Sequence, residues 1–202
     1  MAFRLAALAS PLLLGFGFPF VLALGRERGW SLRHRAGSAA IAGASWVGIL
    51  GILWGFSGQP IARYLESACF LLGFASLLWG LFHLFVGLTL TPAVAQAACG
   101  IVVSLLVGTV FYFDPILEAA PAGSHRVRAN AAIDWNPYAV MAYSIFEEDI
   151  LTRRVLYGTR LSELERSYPE WARAALWYLL LGFWFHVGFL GLHALKARLR
   201  GR

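Results

Sequence analysis

Lysine is nearly missing from this sequence: of 17 basic residues, only Lys196 is one. Charge of either sign is scarce, at 14% of 202 residues against about 25% in a typical soluble domain. There are two cysteines, Cys69 and Cys99, in no metal or redox spacing. Each shortage excludes something. With no lysine in a G-x-x-x-x-G-K-[ST] frame, the chain has no phosphate cradle of that type, and so no ATPase motif. Two cysteines cannot make a disulfide scaffold. So few charges leave too little polar surface to cover a soluble globule, which excludes a cytoplasmic enzyme. What the sequence does have is apolar: 59% of it is hydrophobic, and the mean hydropathy is +0.64. The net charge of +6 comes from arginines beside apolar runs. That is a pattern of membrane orientation rather than of nucleic-acid binding. The expected fold is an all-α, polytopic membrane helix bundle in a single membrane domain, 1–202. The bias to Arg, Ala and Gly suits a GC-rich bacterial genome.

A helix needs about 20 apolar residues to cross the ~30 Å hydrocarbon core. Four stretches reach that length with no charge in their cores: about 38–56, 67–88, 93–113 and 173–195. A fifth, 5–24, is long enough but carries Pro11, Pro19, Gly15 and Gly17, so it either spans or lies in the interface. The loop 25–37 holds Arg26, Arg28, Arg33 and Arg35, and the tail holds Lys196, Arg198, Arg200 and Arg202. The positive-inside rule puts both in the cytoplasm, and the four spans between them agree. It follows that 57–66 and 114–172 face outward and that 89–92 is a tight cytoplasmic turn. If 5–24 spans, the N-terminus is outside. A cleaved signal peptide there would send four arginines outward, against the charge rule. Cys69 and Cys99 fall at different depths, too far apart for a disulfide. Ala39, Gly43, Val47, Gly51 and Gly55 recur every four residues in 38–56. Such a small-residue face allows close helix approach, either within the chain or to a second copy as a homodimer.

The external stretch 114–172 is the most informative. Asp114-Pro115 stops a helix, and 120–128 reads as loop. Asn136-Pro137 pairs an N-cap residue with proline at the first helical position. Ten uncharged residues follow, 137–146, and then Glu147, Glu148 and Asp149 together. Ten residues cannot cross a bilayer, so the segment dips in and returns or lies flat on the surface. Asp149 and Arg153 at i,i+4 extend the helix, Gly158 breaks it, and 159–166 reads as a second short helix. Trp171, Trp177 and Tyr178 flank the entry to the last span as an interfacial belt.

This arrangement resembles the ABC-2 type exporter permeases. They place a pair of short, partly membrane-dipping helices outside, between their last two spans, often opening on Asn-Pro as Asn136-Pro137 does. The resemblance covers about 25–202. It implies a permease subunit in the inner membrane, energised by a separate ATPase chain that docks at Arg26, Arg28, Arg33, Arg35 and the basic tail. The family usually has six spans and a cytoplasmic N-terminus; this chain shows five at most.

The spans hold no carboxylate, lysine or arginine in their cores, which counts against ion-coupled transport. His83, His186 and His193 do lie in spans, the last two seven apart on one face. By depth, His83 falls between them. An alternative reading is therefore a haem b-binding electron-transfer subunit, with His83 and either partner as axial ligands. A third is a structural membrane subunit with no ligand. Ser124, His125 and Asp134 share a loop without any nucleophile-elbow frame, so no enzyme activity and no cofactor is expected of the leading reading.

Overall fold

The computed structural model describes residues 1–29, 31–88, 91–109, 121, 124–148 and 170–200. The described residues form helices, with no strand among them. In chain order these are α1 (Ala2–Glu27), α2 (Leu32–Gly55), α3 (Ile61–Gly87), α4 (Pro92–Gly108), α5 (His125–Asp134), α6 (Pro137–Val140) with a π turn at Met141–Ile145, and α7 (Trp171–Arg200). Four of them, α1, α2, α3 and α7, are long and apolar enough to cross a membrane. α4 is apolar but shorter, at 17 residues. The chain is an all-α bundle of a multi-pass membrane protein.

The element ends differ from the sequence expectation in a consistent direction. The 5–24 stretch lies inside a helix of 26 residues that runs through both prolines. α2 starts at Leu32 because Ser31 caps it, its Oγ accepting from the His34 N–H at 3.4 Å. The loop 25–37 therefore shrinks to a turn, with Arg26 in α1 and Arg33 and Arg35 in the first turns of α2. α3 starts at Ile61, so Arg63 and Glu66 are helical and not part of an outer loop. Apolar runs mark where a helix meets lipid; the caps set where it begins. Thr91 caps α4, with Pro92 at its first position. The outer part of 93–113, beyond Thr109, lies outside the described residues. So do Asp114, Asp149, Arg153, Gly158 and the short helix at 159–166.

The tightest packing joins α3 to α7. A Cβ added at Gly73 would meet the Ala175 carbonyl oxygen at 2.6 Å. One at Gly80 would run into Gly182 backbone, and one at Gly87 would touch Phe189 at 3.0 Å. The three contacts share one offset and advance by seven on each helix, so the pair is parallel with a heptad seam. In lipid no hydrophobic force drives helices together, and close backbone approach at small residues takes its place. Lys196 closes the seam's far end, its Nζ donating to the Gly87 carbonyl at 2.5 Å. That carbonyl is one a helix C-terminus leaves unpaired. α1 packs across α4, with Gly15 against Val103 and Gly100 against Phe16. α2 sits more loosely. The Trp46 indole N–H donates to Ser10 Oγ of α1 (2.9 Å), and Tyr64 of α3 stacks on Trp54 and donates to the Val47 carbonyl (3.3 Å). Cys69 and Cys99 are both free thiols.

Candidate functional site: the capped end of the bundle

Asn136 organises the site. It is buried, and all of its amide is in use. Its Oδ1 accepts from the N–H groups of Tyr138 (3.0 Å) and Ala139 (2.9 Å), capping α6. Its Nδ2 donates to the Val107 carbonyl (2.8 Å) and to Thr109 Oγ1 (3.2 Å), satisfying the end of α4. Pro137 sits at the first helical position, where its missing N–H costs nothing. One side chain thus starts one helix and finishes another.

The segment that follows is buried in protein. Pro137, Ala139, Val140, Met141, Ala142 and Ile145 are all enclosed, while Tyr143 points outward. Of the two placements open from the sequence, a flat surface helix does not describe it; protein encloses it, which is the condition a dip requires. The ten uncharged residues fill the space between the ends of α1, α3, α4 and α7. The chain then turns out at Glu147, whose φ of 55° is left-handed. The Glu147 N–H donates to the Tyr143 carbonyl and that of Glu148 to the Ala142 carbonyl, both at 2.9 Å. This closure is wider than an ordinary helix C-cap because the π turn adds a residue.

The acidic pair then anchors the element. Glu148 pairs with Arg4 of α1, and Glu147 pairs with Arg63 of α3. Arg63 also donates to the Ile145 carbonyl, placing a cation where the helix dipole is negative. Phe3 meets Phe146 edge-on at 5.9 Å. On the α7 side, Ser144 Oγ accepts from the Trp171 N–H (2.8 Å), and the Tyr178 hydroxyl donates to the Trp135 carbonyl (3.0 Å). Every long helix except α2 is therefore tied to this cap. Arg4, Arg63 and Ser144 were not singled out in the sequence as site residues, and Tyr178 was read only as an interfacial aromatic. Arg63 and Arg4 had a signal, being lone cations at the edges of apolar runs.

These ties also fix which helix ends lie together. The starts of α1, α3 and α7 and the end of α4 surround the cap. Arg26, Arg28, Arg33, Lys196 and Arg198 lie at the opposite end of the bundle, so the two basic segments share one side, as their charges suggested.

The histidines separate. His83 and His186 meet edge-to-face, with ring centroids 5.5 Å apart. His193 is exposed and stacks on Phe189, whose ring also contacts both members of that pair. His83 Nδ1 lies 2.9 Å from the Trp79 carbonyl; a carbonyl only accepts, so Nδ1 carries the proton. A porphyrin between His83 and His186 would have to part α3 from α7, yet the backbones touch at Gly80–Gly182 one turn above and Gly87 meets Phe189 one turn below. The His83–His186 pair leaves no room for a porphyrin in this packing. Among the described residues no group of three or more His, Cys, Asp or Glu could hold a metal ion.

A cleft of about 220 Å³ opens beside the cap, lined by Asp134, Trp135, Arg173, Ala174, Trp177 and Tyr178. Partial burial raises the Asp134 carboxyl above the ordinary carboxylate value, and the Arg173 charge opposes that rise. No protein family, curated protein or solved structure matches this chain.

Proposed function

We propose that this chain is the permease-like subunit of a bacterial inner-membrane exporter of the ABC-2 kind, energised by a separate ATPase chain. One observation carries the reading. A short helix opening on Asn136-Pro137 folds back among the span ends, between the last two long apolar segments, and is anchored there on several helices. That placement suits an outer gate, whose movement must be felt by every helix that lines a path. The positive-inside rule then sets the basic end, with the C-terminus, in the cytoplasm, and an ATPase in this proposal docks on the segment that carries Arg26, Arg28, Arg33 and Arg35. A homodimer in this proposal meets across α2, since a Cβ at Gly43 or Gly55 would meet nothing within 4 Å. Its other surroundings are membrane lipids.

The test is co-purification from native membranes in a mild detergent. A nucleotide-binding chain should accompany the wild type and be lost when Arg26, Arg28 and Arg33 are changed together to Gln. Asn136→Ala, at the other end, should retain the ATPase chain while lowering export. Recovery of redox proteins instead, or of no nucleotide-binding chain at all, would overturn the reading.

A further inference from the structure

The cleft beside the cap differs from the rest of the apolar surface. It sets a carboxylate, Asp134, and a guanidinium, Arg173, in one hollow with the indoles of Trp135 and Trp177. Among the described residues neither charge is closed into an ion pair, so both remain available to a ligand. At about 220 Å³ it is smaller than the about 300–1,000 Å³ of pockets for drug-sized ligands. It holds a group of a few heavy atoms, with an anionic and a cationic part.

A second feature starts from the same place. Arg173, Trp177, Leu180, Trp184 and Val187 follow one another at helical spacing on one face of α7. The last four are 38% to 64% exposed. From Trp177 to Val187 the helix rises ~15 Å at ~1.5 Å per residue. That is half of the ~30 Å hydrocarbon core, the depth of one leaflet. The cleft sits at the top of an apolar strip one acyl chain long.

We propose that this cleft and strip bind one zwitterionic phospholipid, with its phosphate on Arg173, its ammonium on Asp134 between the two indoles, and an acyl chain along Trp177–Val187. Each charge recognises one half of the headgroup. An ammonium against an indole face gains further from the ring quadrupole. An anionic headgroup lacking the ammonium satisfies Arg173 but faces the Asp134 carboxylate. The site is independent of any ATPase partner, so it stands or falls apart from the exporter reading.

The experiment uses the full chain, delipidated in detergent and titrated with phosphatidylethanolamine or phosphatidylglycerol, with occupancy read by native mass spectrometry. One phosphatidylethanolamine should bind per chain, preferred over phosphatidylglycerol by about tenfold. Asp134→Asn should erase that preference by improving the phosphatidylglycerol arm. Arg173→Gln should weaken both lipids by about tenfold. Both side chains are exposed, and circular dichroism checks the fold. Trp177→Leu provides an independent variant, with several-fold weaker phosphatidylethanolamine binding. Glycerophosphoethanolamine, which carries the headgroup without the chains, should fail to compete. Equal affinity for the two lipids in the wild type overturns the proposal, as does indifference to Asp134→Asn and Arg173→Gln. Competition by glycerophosphoethanolamine at lipid-like concentration replaces the lipid with a soluble zwitterion and also overturns it.

Discussion

Asn136 uses the two halves of its amide on different helices, and substitutions can take the halves apart. Asn136→Ser keeps an oxygen for the cap of α6 but is too short to reach the Val107 carbonyl. Asn136→Ala loses both functions. A cap is worth about 0.5–2 kcal/mol, and stranding a buried polar group costs about 1–3 kcal/mol. The alanine variant should therefore unfold at the lower temperature of the two, with serine between it and the wild type, as read by thermal denaturation in detergent. Equal losses in both variants would mean that the bond to the end of α4 alone matters and the cap adds nothing. The capping half was legible in the sequence, since its partners are the next residues and the Asn-Pro pair is a local signal. The other half was not. Val107 and Thr109 sit at the end of a different helix, and no local pattern announces that pairing. The same holds for Glu147 and Glu148. Their abrupt charge after ten uncharged residues was visible; their partners, Arg63 and Arg4, are brought near only by folding.

Among the elements, the α3–α7 pair is the one the sequence hid. The four-residue repeat of small residues in α2 drew the eye, yet Gly43 and Gly55 have no neighbour that an added methyl would meet. The seam that closes lies on Gly73, Gly80 and Gly87 against Ala175, Gly182 and Phe189. Its seven-residue spacing is readable in α3, but α7 shows only one of its small residues as a glycine at these positions. Gly182→Ala should cost about 1–3 kcal/mol, the range for overpacking, because its Cβ would press on Ser76 backbone that cannot rotate away. Gly43→Ala should be neutral or stabilising, since alanine favours a helix by about 1 kcal/mol over glycine. Detergent-unfolding midpoints of the two variants provide the comparison; equal effects would contradict the seam. Helix existence was legible throughout because apolar runs of that length have few alternatives. Helix ends were read short because charges such as Arg63 were taken as loop, although helices continue past the apolar stretch to their caps.

At the scale of the molecule, the cap assigns each helix a direction. α1 starts beside Glu148, so position 2 lies at the same end of the bundle as α5, and α1 runs from there to the opposite end. In a background with Cys69 and Cys99 replaced, a cysteine at position 2 and one at 127 should label from the same side of the membrane. One at 28 should label only from the other. Labelling of 2 and 28 together would show that α1 does not cross. The parallel seam also has a consequence in time. Its two helices are separated by 102 positions, from Gly73 to Ala175. At roughly 5–20 residues per second, the ribosome needs roughly 5–20 s to pass from one to the other. For that interval α3 is already in the bilayer with its glycine edge open and its partner not yet made. Until α7 arrives, that edge faces lipid or whatever insertion machinery attends the nascent chain, and a chain stalled before residue 171 leaves it permanently uncovered.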